Sequence, residues 1–149
     1  MPGWDEVVAA VGLALGGDRE EGLRALTACW EATEESDHAQ RCVIAHYLAD
    51  LQPTLDDEVG WDRTVLTEYA EVADADLAPV GITSAAAMAP SLHLNLGDGY
   101  LRQGRVADAE TQLAEGLQVL DVLPADGYGT MVRGGLERLR SRVQEARNR

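Results

Sequence analysis

A chain of 149 residues with 46% hydrophobic and 26% charged side chains is long enough for one domain that buries about two-thirds of its unfolded surface, and no apolar run in it approaches the ~18 residues of a membrane-spanning helix. All 12 basic residues are Arg, six of them in the last 17 positions, so residues 133–149 carry net +4 and residues 1–132 net −18. A body this acidic repels phosphate backbones and anionic lipid, which excludes nucleic acid and membrane surfaces as partners.

The opening residues Met1-Pro2-Gly3-Trp4-Asp5-Glu6 place acid rather than base ahead of the apolar stretch 7–15. That predicts a cytoplasmic protein without a secretory signal. Arg in place of Lys, with abundant Ala, Gly and Asp, is the composition of a high-GC bacterial chain. Apolar residues recur at helical rather than strand spacing throughout, predicting an all-α fold of about seven helices. The first spans about residues 5–15 and stops at Gly16-Gly17. Asp18 is a good N-cap for a second helix to about residue 33, with Leu23, Leu26 and Trp30 as its buried stripe. Ser36-Asp37 starts a third through residue 52, with Ile44, Tyr47, Leu48 and Leu51 as its apolar face, and Pro53 ends it. Asp56 and Asp57 begin a fourth, carrying Trp61, Val65, Tyr69 and Val72.

Residues 74–90 break the rhythm with Pro79, Gly81 and Pro90, leaving room for one short helical turn over 84–88. Pro90 suits the start of a fifth helix that runs to Gln103 and stops at Gly104. A sixth covers about residues 106–123. Pro124 and Gly127 mark the next connection, with Gly127-Tyr128-Gly129 read as a loop into the last helix, about residues 128–147, whose apolar side is Leu136, Leu139, Val143 and Ala146. Cys29 and Cys42 lie inside apolar helical stretches, and two cysteines make no disulfide framework in a chain of this size. Both are expected as buried free thiols. Trp30 and Trp61 fall in apolar stripes and belong to the core, whereas Trp4, near a terminus, fits contact with a partner or a second copy instead.

Residues 90–123 hold the most specific pattern. His93, Leu96-Gly97, Tyr100, Gly104, Ala109, Leu113 and Gly116 alternate bulky and small side chains at spacings that let two helix axes approach while large residues fill the gap. The pattern resembles the tetratricopeptide repeat, with His93 standing where that family usually has Trp. Fainter matches occur at Gly17, Gly22, Leu26 and Cys29, as the second half of a repeat, and at Ile44-Ala45 and Leu48, as the first half of another. Ile44 and Leu96 are 52 positions apart, against ~34 for the family, so residues 74–90 are read as an insertion. The resemblance implies antiparallel hairpins stacked as a short α-solenoid, closed by a last helix whose polar face meets solvent. The alternative is a bundle of amphipathic hairpins without a groove.

The resemblance also implies a concave binding face lined by the first helix of each hairpin. Repeat register places Cys42, His46, Ala49 and Asp50 on that face in the third helix, and Ser91, Leu94, Asp98, Leu101 and Arg102 in the fifth, with Asn95 one residue aside. The candidate groove is His46, Asp50, Leu94, Asn95, Asp98, Leu101 and Arg102. Its carboxylates suit a Lys- or Arg-bearing segment of a partner, while Arg102 alone is a poor trap for a carboxylate terminus. The expected function is a non-enzymatic adaptor or regulatory scaffold that holds a protein or peptide and needs no cofactor.

Two alternatives stay open. His46 and Asp50 at i, i+4 share a helix face, as metal ligands can, and with Asp98 they form the kernel of a metal-dependent or acid/base site. Against it, the chain has no His-Glu-x-x-His, and His93 points by register into its hairpin. Arg133, Arg140 and Arg147, one heptad apart, either solubilise a closing helix or form a basic stripe that pairs in cis or on a second copy. With no Lys, the chain makes no P-loop and no Schiff base. Gly97-x-Gly99 lacks the third glycine of a dinucleotide fingerprint.

Overall fold

The computed structural model describes residues 3–149; Met1 and Pro2, the first of the residues read above as lacking a leader, lie outside it. Among these residues the fold is all-α: eight α-helices, packed as consecutive antiparallel pairs, with no strand. They are α1 Trp4–Leu15, α2 Arg19–Ala32, α3 His38–Asp50, α4 Leu55–Tyr69, α5 Asp74–Leu77, α6 Ala89–Arg102, α7 Val106–Gln118 and α8 Gly127–Arg147. The chain forms two compact units, residues 1–83 and 84–149, which meet in sequence inside the stretch read as irregular.

In the first unit α1 pairs with α2 and α3 with α4, while α3 also packs on α1 and α2. The turn at Gly16-Gly17 forms because Gly17 takes φ +91°, a conformation that costs glycine little. Its N–H then reaches Ala14 O and that of Asp18 reaches Leu13 O, a Schellman closure. Asp18 caps the next helix by accepting from Glu21 N at 3.1 Å. Val7, Leu26, Ile44 and Leu48 are all 0–1% exposed and form the centre of the core, with Trp4, Trp30 and Trp61 packed around it. Trp4, half-buried, packs against this core. Gly22 marks the α1–α2 crossing: a Cβ there would lie 2.7 Å from Ala14 Cα.

Two helix caps differ from the sequence reading. Asp37 is the N-cap of α3, which begins at His38 as read, but its side chain accepts from Glu34 N at 2.8 Å instead of capping the helix. The cap of α4 is Thr54, whose hydroxyl accepts from Asp57 N at 3.2 Å, so α4 begins at Leu55. The largest difference is in residues 74–90. They hold α5, a 3-10 turn Ala78–Val80 and another at Ala86–Met88, the last matching the short turn expected over 84–88. Leu77, 1% exposed, anchors α5, and the Ala78–Val80 turn reaches back to α1.

In the second unit α6 and α7 form the hairpin that the small-residue spacing announced. Gly104 turns it at φ +79°, with Gly104 N–H to Leu101 O and Arg105 N–H to Tyr100 O. Ala109 is fully buried. The sixth helix ends at Gln118, and a 3-10 turn Leu120–Val122 covers the rest of its expected span. Helix α8 packs on both α6 and α7, burying Val132, Leu136, Leu139 and Val143. Added Cβ atoms show how close it lies: at Gly97 one would meet Leu139 at 2.9 Å, and at Gly116 Leu136 at 3.0 Å. Gly127-Tyr128-Gly129, expected as a loop, is the first turn of α8. Asp126 caps it by accepting from Gly129 N at 2.9 Å, and Gly129 is required because a Cβ would fall 1.8 Å from Pro124 O.

Candidate binding faces

In the first unit His46 and Asp50 stand one turn apart on α3, His46 half-buried and Asp50 exposed. His46 meets Tyr47 edge-on, with ring centroids 5.0 Å apart. Burial lowers its pKa below the ordinary 6.5, and the Asp50 carboxylate opposes that shift. The imidazole is thus held neutral at neutral pH, with its Nδ1 enclosed and unpartnered. Cys42, one turn earlier on α3, is fully buried. Burial, with the Glu68 carboxylate adding to it, pushes the thiol up to about 12. It is a packing residue and no nucleophile. Cys29 is likewise a free buried thiol, raised by burial and then by Glu6.

Beside this face lies a polar and aromatic cluster that sequence reasoning missed. Glu68 of α4, 8% exposed, is bonded by His38 Nδ1 at 2.6 Å and paired with Arg41 Nη1 at 3.4 Å. The Arg41 guanidinium lies 4.3 Å over the Trp30 ring, and Trp30 meets Trp61 at 4.9 Å in a T-shaped contact. The carboxylate thereby joins α4 to α3, and Arg41 carries the contact on to Trp30 of α2. The available signal was register: Glu68 is seven residues after Trp61 and three after Val65, so it sits on the stripe that α4 buries, where a carboxylate requires partners.

In the second unit three of the candidate residues of α6, Leu94, Asp98 and Leu101, lie against α8. Asp98 accepts from Arg142 Nη1 at 2.6 Å and from Arg102 Nε at 2.9 Å. Leu94 lies over Gly135, where a Cβ would come within 2.6 Å of its Cδ2. Leu101 lines an open cleft of about 320 Å³ with Gly104, Val106, Arg142, Glu145, Ala146 and Arg149. Asn95 is half-buried and Arg102 exposed. Ser91 donates to Met88 O at 3.0 Å and accepts from Tyr128 Oη at 3.2 Å. His93 points into its hairpin as register required, meeting Gln112 Oε1 at 2.8 Å and Glu115 Oε2 at 3.3 Å.

All three members of the basic stripe on α8 find partners within the unit. Arg133 donates to the carbonyls of Leu120 and Leu123, at 3.4 and 3.3 Å, Arg140 pairs with Glu137 at 3.9 Å, and Arg147 pairs with Glu110 at 3.1 Å. Among the described residues no group of three or more His, Cys, Asp or Glu is placed to hold a metal ion, and no helix is long and apolar enough to cross a membrane. The charge divides sharply between the units. Residues 1–83 hold eighteen carboxylates against four Arg, net −14, and residues 84–149 hold eight against eight, net zero. The chain matches no family model, no curated protein and no solved structure.

Proposed function

We propose that the protein is a non-enzymatic binding module of tetratricopeptide-like build that holds a basic segment of another polypeptide on the acidic first unit. The observation that carries this reading is the charge division: the whole net charge of −14 belongs to residues 1–83. A field of that size raises the encounter rate with cationic segments and weakens with salt. The exposed carboxylate of Asp50, one turn from a neutral half-buried His46, supplies a charged and a neutral hydrogen-bonding group on one helix face. Supporting the repeat-like build are the α6–α7 hairpin and the small residues Gly97, Ala109 and Gly116 at its close approaches.

The test is capture from host lysate with wild type beside a His46→Ala, Asp50→Arg double variant, at low and moderate salt, read by mass spectrometry. Asp50 is the residue to reverse rather than Asp98, because Arg at position 98 would face Arg142 and loosen α8. A protein enriched by wild type, lost in the variant and weakened by salt is the expected result. Equal enrichment by both forms would remove the α3 face from the proposal.

A further inference from the structure

Helix α1 is apolar almost all the way round. After Asp5 and Glu6 no polar side chain appears from Val7 to Leu15, yet only Val7 and Ala10 are buried. Val8 is 54% exposed, Leu13 42% and Leu15 71%. A helix without a polar side is expected to be covered on every side, and clustered exposed aliphatics mark an interaction surface. At ~100° per residue, Leu15, Val8, Gly12, Ala9 and Leu13 succeed one another across the arc opposite Val7 and Ala10. Large side chains therefore stand at both edges and small ones between them. A Cβ added at Gly12 meets nothing within 4 Å, so the middle of the arc is an open trough of the shape that receives a ridge of side chains from another helix.

Charge decides what lies in it. Asp5 and Glu6 flank the trough at one end, and Asp18 and Glu20, just past the Gly16-Gly17 turn, flank the other. The two Arg of the hairpin are committed: Arg24 pairs with Glu21, and Arg19 donates to Asp50 O at 3.4 Å. A second copy laid parallel sets Asp5 and Glu6 against themselves. Laid antiparallel, it sets them against Asp18 and Glu20. Each arrangement brings acid onto acid within a unit of net charge −14, whereas a helix with cations at both ends meets opposite charge at both. We infer that the outward face of α1 docks an amphipathic helix of another protein, with an apolar stripe of about three turns and Lys or Arg at each end. This surface is distinct from the α3 face and does not depend on it.

The experiment uses the full chain and two fluorescein-labelled helical peptides that share one Leu stripe, one ended by Lys and Arg, the other by Glu. Anisotropy is expected to show the basic-ended peptide binding about tenfold or more tighter, with the difference shrinking as salt is added. Val8→Glu with Leu15→Glu, both at exposed positions, abolishes that binding while the circular-dichroism melt is retained. Gly12→Gln, built into open space, gives the same loss by filling the trough. Equal affinity for the two peptides, or binding retained in both variants, overturns the inference. Binding lost only in the His46→Ala, Asp50→Arg variant assigns the peptide to the α3 face, overturning this inference and leaving the proposed function standing. A wild type that sediments as a dimer, dissolved by Val8→Glu and Leu15→Glu, assigns the trough to a second copy and equally overturns it.

Discussion

Arg142 of α8 donates to Asp98 of α6 at 2.6 Å, so the carboxylate that repeat register offers to a ligand is held by the protein's own last helix. The pair is partly exposed, with 46% and 33% of the two side chains accessible, and contributes about 1 kcal/mol or less. The apolar contacts of α8 carry more. Arg142→Ala is expected to shift a urea melt only slightly, Leu136→Ala to cost about 3 kcal/mol, and truncation after Ala125 to unfold the second unit, since it removes Val132, Leu136, Leu139 and Val143 together. A truncated chain that kept the α6–α7 helicity by circular dichroism would contradict this.

Two glycines within helices of the first unit should respond oppositely to alanine. At Gly22 the new methyl would lie 2.7 Å from the Ala14 Cα and 2.9 Å from its nitrogen. That backbone yields only by parting α1 from α2, a loss of about 2 kcal/mol. At Gly60 nothing lies within 4 Å, and the better helix propensity of alanine stabilises by about 1 kcal/mol. Thermal melts of Gly22→Ala and Gly60→Ala should therefore move in opposite directions.

The Cys42 thiol sets an alkaline limit. Its folded pKa, pushed up to about 12 by burial and then by Glu68, exceeds the ordinary 9.0. The native state thus keeps a proton that the unfolded chain releases. The resulting stability is complete below about pH 9 and declines as pH rises toward 12. Cys42→Ala should flatten that decline in denaturant melts taken across the interval. At pH 8, native protein should react with a thiol reagent far more slowly than protein in denaturant, for Cys29 as well as Cys42.

His46 acts at the acid side. Its folded pKa lies below 6.5 because burial disfavours the cation, so its contribution is present above that pH and is lost as pH falls through the folded value, where the unfolded state binds the extra proton. His46→Gln is expected to give a shallower loss of stability between about pH 7 and pH 5. An unchanged slope would show that the imidazole protonates as easily in the native protein as in the unfolded chain.

The carboxylate of Glu68 should be the costliest polar side chain in the first unit to remove. Glu68→Ala leaves the Arg41 guanidinium, 19% exposed in its side chain, without its counter-charge beside Trp30. The expected loss is about 3 kcal/mol, against about 1 kcal/mol or less for Glu21→Ala, whose Arg24 is 66% exposed. Urea midpoints of the two variants decide it.

The α6–α7 hairpin was legible because its information is local. Gly97, Ala109 and Gly116 stand at spacings that mean close helix approach whatever surrounds them, and the Gly104 turn is marked by its glycine. Helix α5 was not legible: four residues, Asp74–Leu77, are too few to show a period, and only its last side chain, Leu77, is buried. The missing side-chain cap of α3 depends on one bond, Asp37 to Glu34 N, which competes with capping in a way composition does not reveal. On the candidate faces, sequence could select residues of α3 and α6 by register. It could not show that α8 brings Arg142 to Asp98 across 44 positions, or that Glu68 joins His38 and Arg41 across about thirty. Those are pairings through space, and a single sequence carries no period for them.

The helix pairings have a kinetic consequence. Within each unit every substantial contact between the long helices joins neighbours in the chain or helices one removed: α1 with α2 and α3, α2 with α3, α3 with α4, α6 with α7 and α8, and α7 with α8. Such short-range topology is that of chains folding in microseconds to milliseconds, since little loop entropy is lost before packing begins. It also lets α1 to α4 complete their core while α6 to α8 are still being synthesised. Gly17 and Gly104 then govern speed as well as shape, because a residue reluctant to take positive φ at either turn would slow the first encounter of α1 with α2 or of α6 with α7.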